Sequence, residues 1–402
     1  MPLILPTLSA SAKRKPRILL RSSWQTVNIG DIGHTFGIIA LIRKYIPKAE
    51  VILWPVNIND GVETLLQKSF PGLRIVKGRF EDADSIAELE RTFHECDVFV
   101  HSSGPYVVRT ADFERWQKLT GKPFGMYGIS LETADDRLKN LLNEASFIFL
   151  RDTISLQFTR SLALKCPMVA FAPDATFAIT LQNKRKAEIY LQSVGLEKKG
   201  FICAIPRLRY TPYFQLNGTA PTAEEKRRYE ISMKFKEADA EKLRAVISRW
   251  VNETGLKVLL CPEMTYQVAL SKEVLLDPLP ENVKKNVVWR DSYWHPDEAG
   301  SIYANAISLV SYEMHSPIIA FHQGVPSVHL KQPTDTTKGQ MWSDIGLSEW
   351  LFEIDTTSAN QIGDAVMKIY QEPAFAQAKM KAAAKFLKEK QQVSMSAVAR
   401  LL

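Results

Sequence analysis

Cysteine is scarce in this chain. The 402 residues include only four cysteines, and no two of them have the spacing of a metal-ligand pair. The four cysteines are Cys96, Cys166, Cys203 and Cys261, and most of them lie in or next to apolar runs. This pattern excludes a cysteine-based metal site and predicts buried free thiols.

Long apolar runs are missing as well. No window approaches the roughly 20 apolar residues that a membrane-spanning helix needs, so we predict no membrane span and a cytoplasmic protein. Residues 1–15 allow two interpretations, because residues 2–8 are mildly apolar and residues 9–12 resemble a signal cleavage site, whereas a basic start is missing. We expect a loose tail; the alternative is that residues 1–12 are the remnant of an export signal.

Charge of one sign does not dominate any long segment of the sequence. The chain has 51 basic and 44 acidic residues, a net charge of +7, and its basic clusters at 184–186 and 226–228 are typical of solvated surfaces. We therefore predict no nucleic-acid partner. The surplus of positive charge favours a small anionic ligand only weakly.

Common nucleotide, metal and hydrolase motifs are also missing. The first strand-to-helix turn contains glycines but does not fit GxGxxG, and neither GKS nor GKT occurs. We find no Ser-His-Asp order, zinc motif or paired-carboxylate spacing, and His295, His322 and His329 belong to no metal-like group. We predict that the protein needs no cofactor and no metal.

The sequence does contain a regular alternation of short apolar runs with amphipathic stretches, which predicts βα units in parallel sheets. The predicted strands are 17–21, 50–56, 73–76, 97–101, 124–129, 147–150, 168–171, 201–205, 257–261, 287–289, 307–310, 327–330 and 350–354. The fold class is therefore α/β, with two Rossmann-like, doubly wound domains facing a cleft. We predict a first domain over 16–194, a second over 195–371, and a helical segment over 372–402 that packs back on the first. The polar passage 210–237 is expected to be a lid or a disordered loop.

In such sheets, ligands bind beyond the carboxyl ends of the strands. After the first strand, Asn28 and Asp31 are placed to bond ligand hydroxyls or to cap a helix, while Gly30 permits a close backbone approach; His34 follows in the same turn. After the fourth strand, Ser103 and Gly104 form a small-residue turn that lines the cleft or is an ordinary tight turn.

The second domain supplies cations and a histidine at its strand ends. Arg207 and Arg209 suit a carboxylate or phosphate, with surface ion pairs as the alternative. The block from Ser311 predicts strand, turn and helix, with His315 and Ser316 at a helix start that favours phosphate. We expect Glu313 to orient the imidazole of His315 and Lys338 to contact phosphate; the alternative is a core histidine. Arg151 and Asp152 are expected to form a structural ion pair with a helix cap.

These segments together resemble the polysaccharide pyruvyltransferase family over nearly the whole chain. The resemblance depends on the order and spacing of Asn28-Ile-Gly30-Asp31, Arg151-Asp152-Thr-Ile-Ser155, Pro173-Asp174, the Ser311 to Pro326 block, Lys338-Gly339 and Asp344-Ile-Gly346. It implies a glycosyltransferase-B-like fold. It also implies transfer of a pyruvyl group from phosphoenolpyruvate to two hydroxyls of one sugar of a poly- or oligosaccharide, as a cyclic ketal, with phosphoenolpyruvate as a substrate and no cofactor.

The resemblance also implies roles for residues. His315 and Glu313 would be catalytic; Arg207, Arg209, Ser311, Ser316 and Lys338 would bind the donor; and the sugar would lie against Asn28, Gly30, Asp31 and His34, near Ser103 and Gly104. Family members often carry arginine where this chain has Glu313. Lys331, Lys338 or the second arginine would compensate, or the donor differs. The alternatives are a glycosyltransferase that uses a nucleotide sugar, and a catalytically idle sugar-binding relative.

Overall fold

The computed structural model describes residues 14–402. Its strands are β1 Arg17–Ser22, β2 Glu50–Pro55, β3 Arg74–Ile75, β4 Val98–His101, β5 Phe124–Ile129, β6 Phe147–Leu150, β7 Val169–Phe171, β8 Phe201–Ile205, β9 Lys257–Leu260, β10 Val287–Trp289, β11 Leu309–Ser311, β12 Ser327–Lys331 and β13 Leu351–Glu353. Every predicted strand is present, within about two residues of its expected bounds.

Helices follow most strands, as the alternation predicts. They are α1 Ile29–Tyr45, α2 Val62–Ser69, α3 Ala83–Glu95, α4 Thr110–Thr120, α5 Asp136–Glu144, α6 Thr153–Ser161, α7 Lys184–Ser193, α8 Tyr213–Leu216, α9 Ala223–Thr254, α10 Gln267–Ser271, α11 Glu281–Lys284, α12 Pro296–Tyr303, α13 His315–His322, α14 Gln340–Asp344, α15 Ala359–Gln371 and α16 Pro373–Ala399. Short 3₁₀ turns lie at Ala175–Ala178, Thr337–Gly339 and Ser348–Trp350, and a π turn at Lys272–Leu276.

The strands form two parallel sheets. The first has the order β3-β2-β1-β4-β5-β6-β7 and the second β10-β9-β8-β11-β12-β13. In both, the strand order reverses at the first strand of the sheet, as in a Rossmann fold. The predicted α/β class with two doubly wound, Rossmann-like domains is confirmed.

Helices cover both faces of each sheet, so the central strands are apolar on both sides. In β1, for example, Ile18, Leu19 and Leu20 are fully buried although they alternate in direction. One hydrophobic cluster joins the inner faces of the sheets of both domains. Each sheet has one further cluster on its outer face. The domains therefore share a core beneath the cleft.

The end of the chain crosses between the domains. The first half of α16 packs in the core of the second sheet through Met380 and Leu387. Its second half reaches the core of the first sheet through Met395 and Val398, and the Tyr127 hydroxyl lies 3.1 Å from Ser394 Oγ.

The polar passage 210–237 is not the disordered loop that was one of the two alternatives expected from its sequence; the other, a lid, stays a prediction. It contains α8 and the first half of α9. Thr222 and Glu225 form a capping box at the start of α9, in which each side chain bonds the backbone N–H of the other. The prediction of a disordered loop was wrong because the helix start signal Thr-x-x-Glu lies within a charged stretch that has no clear apolar period.

Two further expectations concern composition. All four cysteines are buried and unpaired, as predicted. Within residues 14–402, no helix combines the length and apolar character that crossing a bilayer requires. Residues 1–13, which make up most of the predicted tail or signal remnant, lie outside the described residues.

Candidate active site

A cleft of about 880 Å³ lies where the strand orders of the two sheets reverse. Its walls follow the carboxyl ends of β1 and β4 in the first domain and of β8 and β11 in the second. Lining residues from the first domain include Asn28, Asp31, His34 and Arg151, and those from the second include Arg207, Glu313, His315 and Lys338. The strand-end rule thus located the cleft correctly.

The two domains are joined at the floor of this cleft. Asn28 and Met264 form an isolated antiparallel bridge, in which the Ile29 N–H donates to the Glu263 carbonyl at 3.1 Å and the Thr265 N–H donates to the Val27 carbonyl at 3.1 Å. The Asn28 side chain caps α1 by accepting from the Gly30 N–H at 2.7 Å. The start of α1 is therefore fixed against the loop after β9.

His315 stands at the start of α13, with one ring nitrogen facing a buried carboxylate. Its Nδ1 lies 3.4 Å from Glu263 Oε1, while Glu263 Oε2 accepts from the Ser316 N–H at 2.5 Å. Burial opposes the imidazolium, but the Glu263 and Asp174 carboxylates outweigh it and raise the pKa of His315. A protonated His315 is thus stabilised at a higher pH than is usual for histidine.

The other ring nitrogen of His315 faces a histidine of the first domain. His315 Nε2 and His34 Nε2 are 3.1 Å apart, and His34 Nε2 lies 3.3 Å from Asp174 Oδ2. Arg151 donates to the same Asp174 oxygen at 2.8 Å. Two ring nitrogens that face each other share one proton, so Glu263, His315, His34 and Asp174 form a continuous buried network in which a proton can move.

The same network offers ligand atoms for a metal ion. One atom each of His34, Asp174 and His315 lies within 4.8 Å of the others, the only such group of three found in residues 14–402. Two imidazoles and a carboxylate suit a divalent transition metal. The sequence prediction of no metal did not anticipate this cluster.

Gly30 is required by the position of His315. A Cβ atom at Gly30 would lie 2.2 Å from both Cγ and Nδ1 of the His315 ring. The close approach at Gly30 is made by the imidazole of the other domain, and Gly30 itself is not among the residues that line the cleft.

The cations of the second domain are already paired. Arg207 contacts Asp335, Gln332 Oε1 at 3.2 Å and Glu313 Oε1 at 3.3 Å. Lys338 Nζ lies 3.4 Å from Glu313 and 3.6 Å from Asp335. Two cations and two carboxylates therefore form a compact, neutral, nearly buried quartet on the cleft wall.

Glu313 takes part in this quartet and does not orient His315, contrary to expectation. Its Oε1 accepts from Gln267 at 2.8 Å in addition to contacting Arg207. Burial, together with the Glu263 and Asp335 carboxylates, raises the pKa of Glu313 despite Arg207 and Lys338. The carboxylate next to the imidazole is instead Glu263.

Arg209 also differs from expectation. Its guanidinium makes a bidentate pair with Asp239 at 2.9 and 3.0 Å, contacts Asp355, and stacks 3.7 Å from the Phe235 ring centroid. It does not line the cleft. Its position after β8 was correct, but the strand turns its side chain toward α9.

Four smaller predicted residues support the site without lining it. The Ser311 hydroxyl accepts from the Glu313 N–H at 2.9 Å and stabilises the turn before α13. The Ser316 N–H is occupied by Glu263, so the predicted phosphate position at this helix start is already filled. Ser103 Oγ accepts from the Ala175 N–H at 2.9 Å, and the Gly104 carbonyl accepts from the Ser130 N–H at 3.0 Å.

The acceptor side of the cleft keeps Asn28, Asp31 and His34 in its lining. Asp31 Oδ2 accepts from Gln25 at 2.5 Å, and Gln25 also reaches the Tyr213 hydroxyl at 3.3 Å. Aromatic side chains from both domains surround the mouth: Trp24, Tyr106, Tyr210, Tyr213, Phe214 and Tyr229.

Glu263 was not among the residues predicted from the sequence, although its carboxylate faces His315 Nδ1 and accepts from the Ser316 N–H. It lies three residues after the end of β9, so the strand-end rule that predicted Arg207 also applies to Glu263. Asp152 caps α6 as expected, by accepting from the Ser155 N–H at 2.7 Å, but Arg151 pairs with Asp174 and not with Asp152.

Several solved structures share this architecture. HepE from Anabaena, in complex with UDP and glucose, has a TM-score of 0.58 at 10% identity, covering 96% of this chain and 100% of that one. MnaA from S. aureus with UDP has a TM-score of 0.56 at 10% identity over 92% and 94% of the two chains. The E. coli ADP-heptose lipopolysaccharide heptosyltransferase II reaches 0.52 at 13% identity over 89% and 99%. At these identities the likeness establishes a glycosyltransferase-B-like fold.

Sequence comparisons distinguish among proteins of this fold. A search against curated proteins gave no significant match. The family model described as polysaccharide pyruvyl transferase, however, matches residues 28–332, which include the Asn28 cap, Asp174, Glu263 and His315. This chain is therefore a transferase that belongs to the polysaccharide pyruvyl transferase family.

Proposed function

We propose that this protein transfers the pyruvyl group of phosphoenolpyruvate to two hydroxyls of one sugar residue, forming a cyclic ketal, and that its own side chains supply the proton transfers without a metal or cofactor. The observation that carries the proposal is the Glu263–His315–His34 arrangement at the floor of a cleft between two sugar-enzyme-like domains. It provides a histidine whose pKa is raised by Glu263 and Asp174 and whose second nitrogen faces His34, another residue in the lining of the cleft.

In the proposed reaction, protonated His315 gives its Nε2 proton to C3 of the enol, which becomes a methyl group. C2 then carries an oxocarbenium-like centre, which one sugar hydroxyl attacks. The C2–O bond to phosphate breaks, and the second hydroxyl adds to C2 to close the ring. One of the two hydroxyl protons leaves with the phosphate, and the other returns to the His34–His315 pair, so the enzyme ends in its starting state.

The donor carboxylate and phosphate need cations on the same wall. Arg207 and Lys338 are placed there, but Glu313 now lies between them. In the proposal, a donor oxyanion takes the place of the Glu313 carboxylate as their partner. The raised pKa of Glu313 supports this exchange, because a protonated Glu313 competes less with the ligand.

The acceptor sugar is assigned to the first-domain side of the cleft. Asp31 and Asn28 line the cleft on that side, and their side-chain oxygens can accept hydrogen bonds from sugar hydroxyl groups. Tyr106 and Tyr213 are 60% and 42% exposed at the mouth, which leaves their ring faces free to pack on an apolar sugar face.

Calorimetry followed by turnover assays tests the proposal. Phosphoenolpyruvate should bind the wild-type protein, whereas UDP-glucose and other nucleotide sugars should not; phosphate release from phosphoenolpyruvate should then depend on one member of a panel of oligosaccharides. His315→Ala should lower this turnover about 100-fold or more. His94→Ala, which changes an exposed histidine that does not line the cleft, is the matched control. Binding of nucleotide sugars in place of phosphoenolpyruvate would instead support glycosyl transfer.

A further inference from the structure

A second cavity, of about 660 Å³, lies apart from the cleft and shares no lining residue with it. We call it the α1–α16 groove. Its walls come from the end of α1, the segment after β7, the end of α13 and the middle of α16. Its volume falls in the range of pockets that hold small organic molecules.

The interior of the groove is mainly apolar. Leu41, Phe70, Phe177, Phe321 and Leu387 contribute to its lining, and Ala384 leaves space on the α16 side. Phe177 and Phe321 meet edge to face, with ring centroids 5.8 Å apart. Such a surface suits a hydrocarbon chain, because burial of apolar area from water is favourable.

The rim of the groove is positively charged. Arg43, Lys44 and Lys388 line it, and none of the lining residues is acidic. Among residues 14–402, none of these three cations has a carboxylate within 4.0 Å. This differs from the cleft, where Arg151, Arg207 and Lys338 each pair with an internal carboxylate. Arg43 lies 4.8 Å from the Phe70 ring centroid and Lys44 lies 5.0 Å from the Tyr45 ring centroid, contacts that leave the positive charge of both side chains uncompensated. The groove thus offers positive charge that no carboxylate of residues 14–402 balances, beside an apolar channel.

Helix capping explains only part of this arrangement. Arg43 and Lys44 lie in the last turn of α1, where cations favour the helix dipole. Lys388 lies well inside α16, about three turns before its carboxyl end, so the dipole does not account for it. Neither does the dipole account for an apolar cavity between the three cations.

We propose that the α1–α16 groove binds an anionic amphiphile, a single long hydrocarbon chain with a phosphate head group. The chain would lie against Phe177, Phe321 and Leu387, and the phosphate would contact Arg43, Lys44 and Lys388. The site is independent of the reaction proposed for the cleft.

Calorimetric titration with dodecyl phosphate below its micelle concentration tests this binding. Dodecyl phosphate should bind with a stoichiometry of one, and shortening the chain to decyl should weaken binding by up to about fourfold for each methylene removed. Inorganic phosphate, which lacks the chain, and dodecyl maltoside, which lacks the charge, should each bind at least tenfold more weakly. Equal binding of dodecyl phosphate and dodecyl maltoside would overturn the assigned charge recognition.

Variants locate the site. Arg43→Gln, Lys44→Gln and Lys388→Gln combined should weaken dodecyl phosphate at least tenfold, and Ala384→Trp, which fills the groove and keeps all charges, should do the same. The matched control removes three exposed charges elsewhere, Lys118→Gln, Arg185→Gln and Lys226→Gln, and should bind like wild type. If both groove variants bind like wild type, the proposal is wrong. It is equally wrong if sedimentation shows a dimer that Ala384→Trp disrupts and no amphiphile binds, because the groove is then an interface between copies of this chain.

Discussion

The imidazole of His315 lies directly against the backbone of Gly30, so closely that a Cβ atom there would overlap its ring at 2.2 Å. Gly30 belongs to the first domain and His315 to the second. Their contact, with the Asn28–Met264 bridge beside it, sets the relative position of the two domains at the floor of the cleft.

Gly30→Ala should therefore displace His315 and lower kcat about 100-fold, since a misplacement of about 1 Å can have an effect of that size. Alanine favours helix more than glycine does, so the start of α1 should not be weakened. Gly33→Ala in the same helix is the control, because the nearest neighbours of its new Cβ would be side-chain atoms outside the site, the Thr176 methyl group at 3.0 Å and Ile179 Cδ1 at 3.5 Å. In a double-mutant cycle, Gly30→Ala should add nothing to His315→Ala. Additive losses would show that Gly30 acts in another way.

Glu263→Gln should move the pH profile of turnover toward acid. The Glu263 carboxylate helps to raise the pKa of His315 against the effect of burial, and glutamine removes that charge. The imidazolium is then lost at a lower pH, so the alkaline limb of the kcat profile should move to lower pH. Thermal unfolding should show that the fold is retained. An unchanged alkaline limb would assign that limb to another group.

Glu313→Gln should strengthen donor binding. Removing the Glu313 carboxylate leaves Asp335 as the remaining carboxylate of the quartet, so Arg207 and Lys338 together carry one uncompensated charge for the donor. A hydrogen bond between charged groups is worth about 1.5–3 kcal/mol, so affinity for phosphoenolpyruvate should rise about tenfold or more. In the wild type, affinity should also increase as pH falls, because the raised pKa of Glu313 allows its protonation above the usual range for glutamate. Titration at several pH values should show this trend in the wild type and a weaker one in the variant. A variant that binds the donor less tightly would mean that Glu313 contacts it favourably.

The two arginines after β8 should differ in effect. Arg209→Ala breaks a buried pair with Asp239 and should lower the free energy of unfolding by about 3 kcal/mol, measured by denaturant titration, with donor affinity unchanged. Arg207→Ala should weaken donor binding, measured by calorimetry on folded protein. A loss of donor affinity in Arg209→Ala equal to that in Arg207→Ala would restore Arg209 to the binding site.

Removal of metal ions should leave turnover unchanged. The His34, Asp174 and His315 cluster has the composition of a metal site, but the proposal assigns it to proton transfer. Dialysis against a strong chelator, followed by metal analysis and assay, checks this. Activity that is lost on dialysis and restored by Zn²⁺ would assign the cluster to a metal.

Periodicity predicted the fold well, because buried parallel strands such as β5 and β8 are short apolar runs with clear limits. The strand-end rule also identified Asn28, His34, Arg207 and His315 as cleft residues. It could not tell Arg207 from Arg209, since the direction of each side chain depends on Asp239 and Asp335, which lie 30 and 128 residues away. Pairings of that kind depend on tertiary packing, which one sequence does not display.

Glu313 illustrates the same limit in another way. Its place two residues before His315 suggested that it would orient the ring, but the turn held by Ser311 directs the two side chains to different neighbours. Glu263 reaches His315 only because the sheet places β9 and β11 on either side of β8. The carboxylate that is near His315 in the sequence, Glu313, therefore does not contact its ring, whereas the distant Glu263 does.

Proton delivery to the donor can be followed by running the reaction of phosphoenolpyruvate with the acceptor sugar in deuterated water, with mass spectrometry and NMR of the product. We expect a sugar ketal whose new methyl group carries one deuterium, delivered by His315 to C3, with release of inorganic phosphate. A product without this deuterium, or one formed only from a nucleotide sugar, would contradict the proposed transfer.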